Sequence, residues 1–315
     1  MSSVTLIPTH ETATKTQLPV PFEGMSVWSF RNKVGESPVW DPESVSLIWI
    51  DIRAPALCQL NPETGFLTRW ALPEIVGAVA LAQPGCVVLA LQHRLALFEL
   101  RSGILTDLVD VASEPAFNRL NEGRVSPSGR WFLFGSMDDR EGTKMPTGHL
   151  YRAELSGEVI QIHQGLTIAN GLAWTPDGKW LYFSDSYPGT VWRATWDEAS
   201  GCMGQPQLFT TSLEASGRPD GAYIDNHGHY VSAGVSAGCI NVFAHDGALT
   251  LRIDLPVRAP SMPCIGGKQR DRLFITSLIR PHWDFVGEYE GALLELAAPS
   301  AGPMSTRWQA FKNST

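Results

Sequence analysis

Charge is scarce in this chain: only 18% of its 315 residues are Asp, Glu, Lys or Arg. The 24 Lys+Arg are outnumbered by 32 Asp+Glu, for a formal net charge of −8, and no run of five basic residues occurs. A surface without clustered positive charge is not built to neutralise phosphates, which excludes nucleic acid as the expected partner. Cysteine is equally sparse. The five at 58, 86, 202, 239 and 264 form an odd, scattered set without a C-x-x-C, as expected of buried free thiols in a reducing cytosol. Long hydrophobic runs are missing. The most apolar stretch, 77–100, is broken by Gln83, Pro84, Gly85, Gln92, His93 and Arg94, so no membrane span is expected. Residues 1–23 lack a basic segment leading into an apolar one, so the expectation is a cytoplasmic protein with a flexible N-terminal segment, 1–23. Neither a long amphipathic helix, an H-E-x-x-H nor a Gly-rich phosphate loop is present.

Turn residues and aromatics are plentiful: Gly 29, Pro 22, Phe 13, Trp 11 and Tyr 6. They fall into a repeating grammar of a short apolar strand, a Pro/Gly/Asp/Asn turn, and a second strand rich in aromatic and β-branched residues. The stretches 37–51 (SPVWDPESVSLIWID) and 171–185 (GLAWTPDGKWLYFSD) show it most clearly, with further copies at 77–90, 123–135, 221–233 and 262–276. Equivalent starts near 36, 77, 123, 170, 220 and 263 are spaced 41 to 50 residues apart. That period belongs to four-stranded propeller blades. Two tandem β-sandwiches would not repeat one motif six times. The expectation is all-β: a six-bladed β-propeller with four-stranded antiparallel blades, one domain over 24–312. Met25–Phe30 and a late strand at 305–311 are expected to complete one shared blade and close the ring.

Polar residues recur where the blades begin: Glu36, Asn121, Asn170 and Asp220, each with a Gly or Pro nearby. Asn-Gly and Pro-Asp-Gly are also ordinary turn signals, but here they stand at matching positions of different repeats. The first strand of every blade starts beside the axial channel, so these four side chains converge. Confined carboxylates repel one another and lose hydration, at roughly several kcal/mol. A cation resolves this, and an all-oxygen set suits Ca²⁺, Mg²⁺ or Mn²⁺, with Zn²⁺ admissible.

Three other motifs compete. Gly234-Val235-Ser236-Ala237-Gly238 has the form of a serine-hydrolase nucleophile elbow, which would make Ser236 an esterase nucleophile. That elbow needs a helix after it, and Cys239–Phe243 reads as a strand. His227-Gly228-His229 could pair on a metal but sits in a turn. Asp51 and Asp185 occupy equivalent strand positions and are expected to bond structurally, with Trp40 and Trp174 in the core.

The chain resembles the senescence-marker-protein/gluconolactonase/regucalcin-like family of six-bladed propellers from about residue 30 to 300. The resemblance is carried by Gly35-Glu36-Ser37-Pro38-Val39-Trp40-Asp41, Arg119-Leu120-Asn121-Glu122-Gly123-Arg124-Val125, Asn170-Gly171-Leu172-Ala173-Trp174 and Arg218-Pro219-Asp220-Gly221, in that order. It implies that Glu36, Asn170 and Asp220 hold one divalent metal ion and that Arg119 and Asn121 contact substrate. Ser37 stands where the family usually has Gly, and Glu122 where it often has Asp. Some members carry a lid carboxylate before a Gly-x-Leu-Tyr strand. Before Gly148-His149-Leu150-Tyr151 this chain has Lys144 near that place, with Glu141 as a candidate substitute for binding substrate.

The implied activity is metal-dependent hydrolysis of a sugar (aldono)lactone, the metal polarising the ring carbonyl and Asp220 serving as general base. The alternative is a non-catalytic propeller that binds calcium or a small molecule, since fold alone does not define function.

Overall fold

The structure is a computed structural model describing residues 2–154 and 157–309. Among the described residues every regular element is a strand except one short 3₁₀ turn, Glu214–Ser216. The strands form six small antiparallel sheets, one per sequence repeat. Blade one is Gly35–Asp41, Ser46–Asp51, Ala56–Asn61 and Phe66–Ala71; blade two is Val76–Leu81, Cys86–Leu91, Arg94–Glu99 and Ile104–Asp110. Blade three is Asn118–Val125, Phe132–Asp138, Gly148–Ala153 and Val159–Leu166. Blade four is Ala169–Trp174, Trp180–Asp185, Thr190–Asp197 and Gln207–Thr211, with the two-residue Cys202–Met203 as an extra edge. Blade five is Pro219–Ile224, Tyr230–Gly234, Cys239–Phe243 and Leu249–Asp254. The innermost strands neighbour one another in a closed cycle.

Burial follows position in the blade. The second strand of blade one, Ser46–Asp51, is buried at every residue because adjacent blades cover both its faces. It therefore reads as a continuous apolar run, SLIWID, rather than an alternating one. Outer strands such as Leu249–Asp254 are exposed. Each fully buried large side chain, Trp49, Phe134 and Phe183 among them, contributes about 1.5–3 kcal/mol relative to exposure. Trp40 and Trp174 lie in this core, as expected.

The ring closes through Met25–Arg31, which joins Pro260–Gly266, Arg272–Ser277 and Ala292–Ala297 as the fourth strand of blade six. That half of the expected closure holds. The expected late strand does not: residues 305–309 form no strand, and 310 and 311 lie outside the described residues. Trp308 instead donates its backbone N–H to Leu81 O (2.7 Å) and packs against Phe132. Pro303–Thr306 meanwhile lines the end of the channel away from the site.

A second correction concerns 1–23, expected as a flexible segment. Ser3–Thr5, Pro8–Thr12 and Lys15–Gln17 each add an outer strand, to blades two, one and six respectively. The stretch has no apolar pattern to announce this. Backbone pairing with open blade edges does not require one. The cysteines are all free, and four are buried; Cys202 is exposed, against expectation, because its two-residue strand is a blade edge.

Asp51 and Asp185 act as matching clasps. Asp51 accepts hydrogen bonds from the backbone N–H of Lys33 (2.9 Å), Val34 (3.0 Å) and Ala54 (3.1 Å). Asp185 accepts from Thr167 (2.7 Å), Ile168 (2.9 Å) and Tyr187 (3.1 Å). Each carboxylate ties the second strand of its blade to the chain entering the first, which fixes where the innermost strand begins.

Candidate active site

All six innermost strands slip register at their heads. The irregularities lie between Glu36 and Val39, Val76 and Ala78, Asn121 and Gly123, Asn170 and Ala173, Pro219 and Ala222, and Pro260 and Pro263. A bulge re-aims a side chain that regular pairing would direct into the sheet. Blade two slips there as well, with Gly77 as the extra residue, but its head offers only Val76, Gly77 and Ala78. Four of the bulged heads carry the polar residues singled out by sequence.

In three of them the residue after the polar one has positive φ: Ser37 (49°), Glu122 (21°) and Gly171 (65°). Gly171 has no alternative. A Cβ there would stand 2.1 Å from Tyr230 Oη and 2.6 Å from Ser184 Oγ. Ser37 and Glu122 hold a conformation that side chains disfavour, at a cost of about 1–3 kcal/mol each, and such strain gathers at functional sites.

The side chains these turns present are buried and bonded in a chain across three blades. Arg119 donates from Nη1 to Asn121 Oδ1 (2.7 Å), and Asn121 Nδ2 donates to Asn170 Oδ1 (2.7 Å). Asn170 Nδ2 donates in turn to Asp220 Oδ1 (2.6 Å) and to Ser186 Oγ (2.8 Å). Glu36, 7% exposed, accepts one N–H, from Ser37 at 2.7 Å. Burial raises its carboxyl well above the usual carboxylate range, and the charges of Asp220 and Glu122 add to the rise. Asp220 is pushed up to about 7 by burial, against the opposing pull of Arg280, Arg119 and Arg218.

Glu122, noted in the sequence only as a departure from a family pattern, proves to be a third buried acid. It accepts the backbone N–H groups of Gly171 and Leu172, so it pins the Asn170 turn from the neighbouring blade. Burial takes it up to about 8.

The lid divides differently from expectation. Glu141 is exposed on the loop between Phe132–Asp138 and Gly148–Ala153, apart from the hydrogen-bonded chain. Asp139 is the lid residue that reaches the site: it accepts from Arg119 Nε (3.0 Å) and from Arg53 Nη1 (3.0 Å). Lys144, partly desolvated, feels the charges of Asp139, Asp138 and Arg119, and burial lowers its ammonium below the ordinary value. No sequence motif marks Asp139 or Arg53; only the fold brings their loops together.

The competing motifs resolve. Ser236 donates to Glu214 O (2.8 Å) and accepts from Arg218 N (2.9 Å), and Cys239–Phe243 follows it as a strand. It lacks the strand-to-helix turn of a nucleophile elbow. His227 and His229 sit in a turn organised by Asp225, which accepts both their backbone N–H groups.

The donor chemistry at the axis fits a hard divalent cation. Two carboxylates, Glu36 and Asp220, are buried where burial opposes ionisation, at Glu36 with the charge of Asp220 added, and the amide of Asn170 adds an uncharged oxygen. Among the described residues no three His, Cys, Asp or Glu side chains gather into a metal site, so such a set depends on an amide.

A bulged ring of acids and amides at one end of a six-bladed propeller is the arrangement to compare with known proteins. Residues 34–279 match the SMP-30/Gluconolactonase/LRE-like region, and the chain belongs to that family. A pentonolactonase of Haloferax volcanii is 30% identical over 78% of this chain and 81% of its own. The 6-deoxy-6-sulfogluconolactonase of Pseudomonas putida is 34% identical over 78% and 83%. Among solved structures, a calcium-binding regucalcin from Agrobacterium tumefaciens superposes with a TM-score of 0.83 at 27% identity, covering 89% of this chain and 95% of that one.

Proposed function

We propose that the protein is a sugar lactonase that opens the ring ester of an aldonolactone to the free acid. The observation that carries this is the buried chain Arg119–Asn121–Asn170–Asp220, which ends on a carboxylate lifted to about 7. Relatives named as lactonases support it. Glu36, Asn170 and Asp220 would hold one divalent cation, which when bound supplies Lewis-acid polarisation of the lactone carbonyl.

The chain's own groups do the rest. Asp220 takes a proton from the water that attacks the carbonyl carbon, and a value near 7 makes it a base matched to neutral pH. The proton is then available to the ring oxygen as the C–O bond breaks, leaving one carboxylic acid and one new hydroxyl. Arg119 and Asn121 orient the ring hydroxyls, a contribution of roughly several kcal/mol when geometry is right. Asp139 holds the Arg119 guanidinium in place, and the loop carrying Glu141 and Lys144 covers the sugar side.

The test is a pH-drop assay on a panel of aldonolactones, before and after chelation. Turnover that disappears with chelator and returns with Ca²⁺, Mg²⁺, Mn²⁺ or Zn²⁺ is expected. Turnover indifferent to chelation would remove the cation from the reading, and no turnover of any lactone would leave a binding protein.

A further inference from the structure

A cavity of about 670 Å³ opens between blades five and six, walled in part by Arg218, Arg258, Arg280 and Trp283 over an apolar floor. Its volume suits a small molecule rather than a protein segment. It adjoins the axial site: Arg218 immediately precedes the strand Pro219–Ile224 that carries Asp220, and the charges of Arg218 and Arg280 both act on Asp220. We propose that this cavity is a subsite for a second anionic group on the substrate. The lactone it serves would then carry a carboxylate, sulfonate or phosphate at the end remote from the ring ester. The inference rests on the lactonase reading for its substrate, but not for its ligand chemistry.

The charges around the cavity are unevenly matched. Arg258 is spoken for: its Nε donates to Glu290 Oε1 (2.9 Å), its Nη2 to Phe285 O (2.6 Å), and its plane lies 3.7 Å from the centre of the Trp283 ring. Asp254 is paired with Arg252 at 2.8 Å. Among the described residues Arg218 is ion-paired only with Glu214, at 3.0 Å, whose side chain is 72% exposed, and such a surface pair contributes little.

Arg280 has no carboxylate within ion-pair distance among the described residues. Among the described residues its guanidinium makes one hydrogen bond, to Val235 O, and that is 3.5 Å long. It is half-buried, and burial together with the charge of Arg218 lowers its guanidinium below the ordinary value. A guanidinium so placed, its fork unfilled beside a second cation, is stabilised by an anion that both can grip. Val235, Leu255 and Val257 form the floor, apolar surface suited to the carbon chain between the two ends of the substrate. A role limited to Asp220, keeping its carboxylate ionised, would need no cavity.

The experiment compares kcat/KM for 6-phosphoglucono-1,5-lactone and glucono-1,5-lactone in the wild-type protein, Arg280→Met and Arg280→Lys. The phosphorylated lactone should be preferred by at least tenfold in the wild type. That preference should fall on the order of tenfold to a hundredfold in Arg280→Met, as expected for losing one charge-assisted contact, and partly survive in Arg280→Lys. A parallel loss on both lactones would mean that Arg280 acts only through Asp220, and would overturn the proposal. So would equal kcat/KM for the two lactones in the wild type.

Calorimetry with 6-phosphogluconate and gluconate separates the subsite from the lactonase reading. Tighter wild-type binding of the phosphorylated acid, lost in Arg280→Met, with no turnover of either lactone, keeps the subsite and sinks the lactonase. Equal affinity for the two acids in the wild type, which needs no variant to fold, sinks the subsite.

Discussion

Asn170 donates from its amide to Asp220 at 2.6 Å, tying the head of blade four to the head of blade five. The same amide accepts from Asn121 on blade three. Three blades thus meet on one side chain, and a turn that must be glycine follows it. The acid proposed as the base is therefore positioned by a neighbouring blade as much as by its own.

Asp220→Asn keeps the shape and removes the proposed base. Its kcat on the best lactone should fall by about 10²–10⁴-fold, the usual share of a general base, with the melting temperature near wild type. Steady-state rates within tenfold of wild type would take Asp220 out of that role.

Stability should respond to pH and cations together. Burial raises Asp220 to about 7 and Glu122 to about 8, from ordinary values near 4. Raised carboxyls favour the fold fully below their unfolded values, and this contribution is lost as pH rises through the folded ones. Cation-free protein should therefore melt higher at pH 5.5 than at pH 8.5. A divalent cation held as proposed would bind the ionised form and stabilise by mass action, so its gain in Tm should be larger at pH 8.5. Thermal scans in chelator and in excess cation check both signs; an equal gain at the two pH values would contradict them.

Gly171→Ala should destabilise by about 2–4 kcal/mol, since its Cβ meets Tyr230 and Ser184 at positive φ. Urea unfolding measures this. A cost below about 0.5 kcal/mol would show that the turn relaxes and that Asn170 is less rigidly held than the bonds of Glu122 imply.

Asp185→Ala removes the clasp on Thr167 and Ile168. Leaving buried N–H groups unmet costs about 1–3 kcal/mol each, so a loss of a few kcal/mol in urea unfolding is expected. Asp197→Ala, whose carboxylate bonds in an exposed turn, should cost far less and serves as the control.

Much of this was legible beforehand because a propeller repeats locally. Each hairpin needs its Gly, Pro, Asn or Asp turn within a few residues, so the period, the blade count and the four strand heads all stand in the chain. The outward-lying strands of 1–23 did not, since edge pairing is made by backbone and leaves no side-chain pattern. Cys202 was misplaced for a related reason: nothing in its composition separates a blade edge from a blade centre.

The sequence by itself determined the repeat, the all-β class and the acids and amides at the blade heads, because hydrophobic period and turn chemistry act over short separations. Only the tertiary structure decided what meets what. It placed Glu122 beneath the Asn170 turn, set Asp139 rather than Glu141 against Arg119, and left Arg280 beside a cavity with no carboxylate at ion-pair distance among the described residues. Those contacts join loops from different blades, and ring closure, a property of the whole chain, brings them within reach.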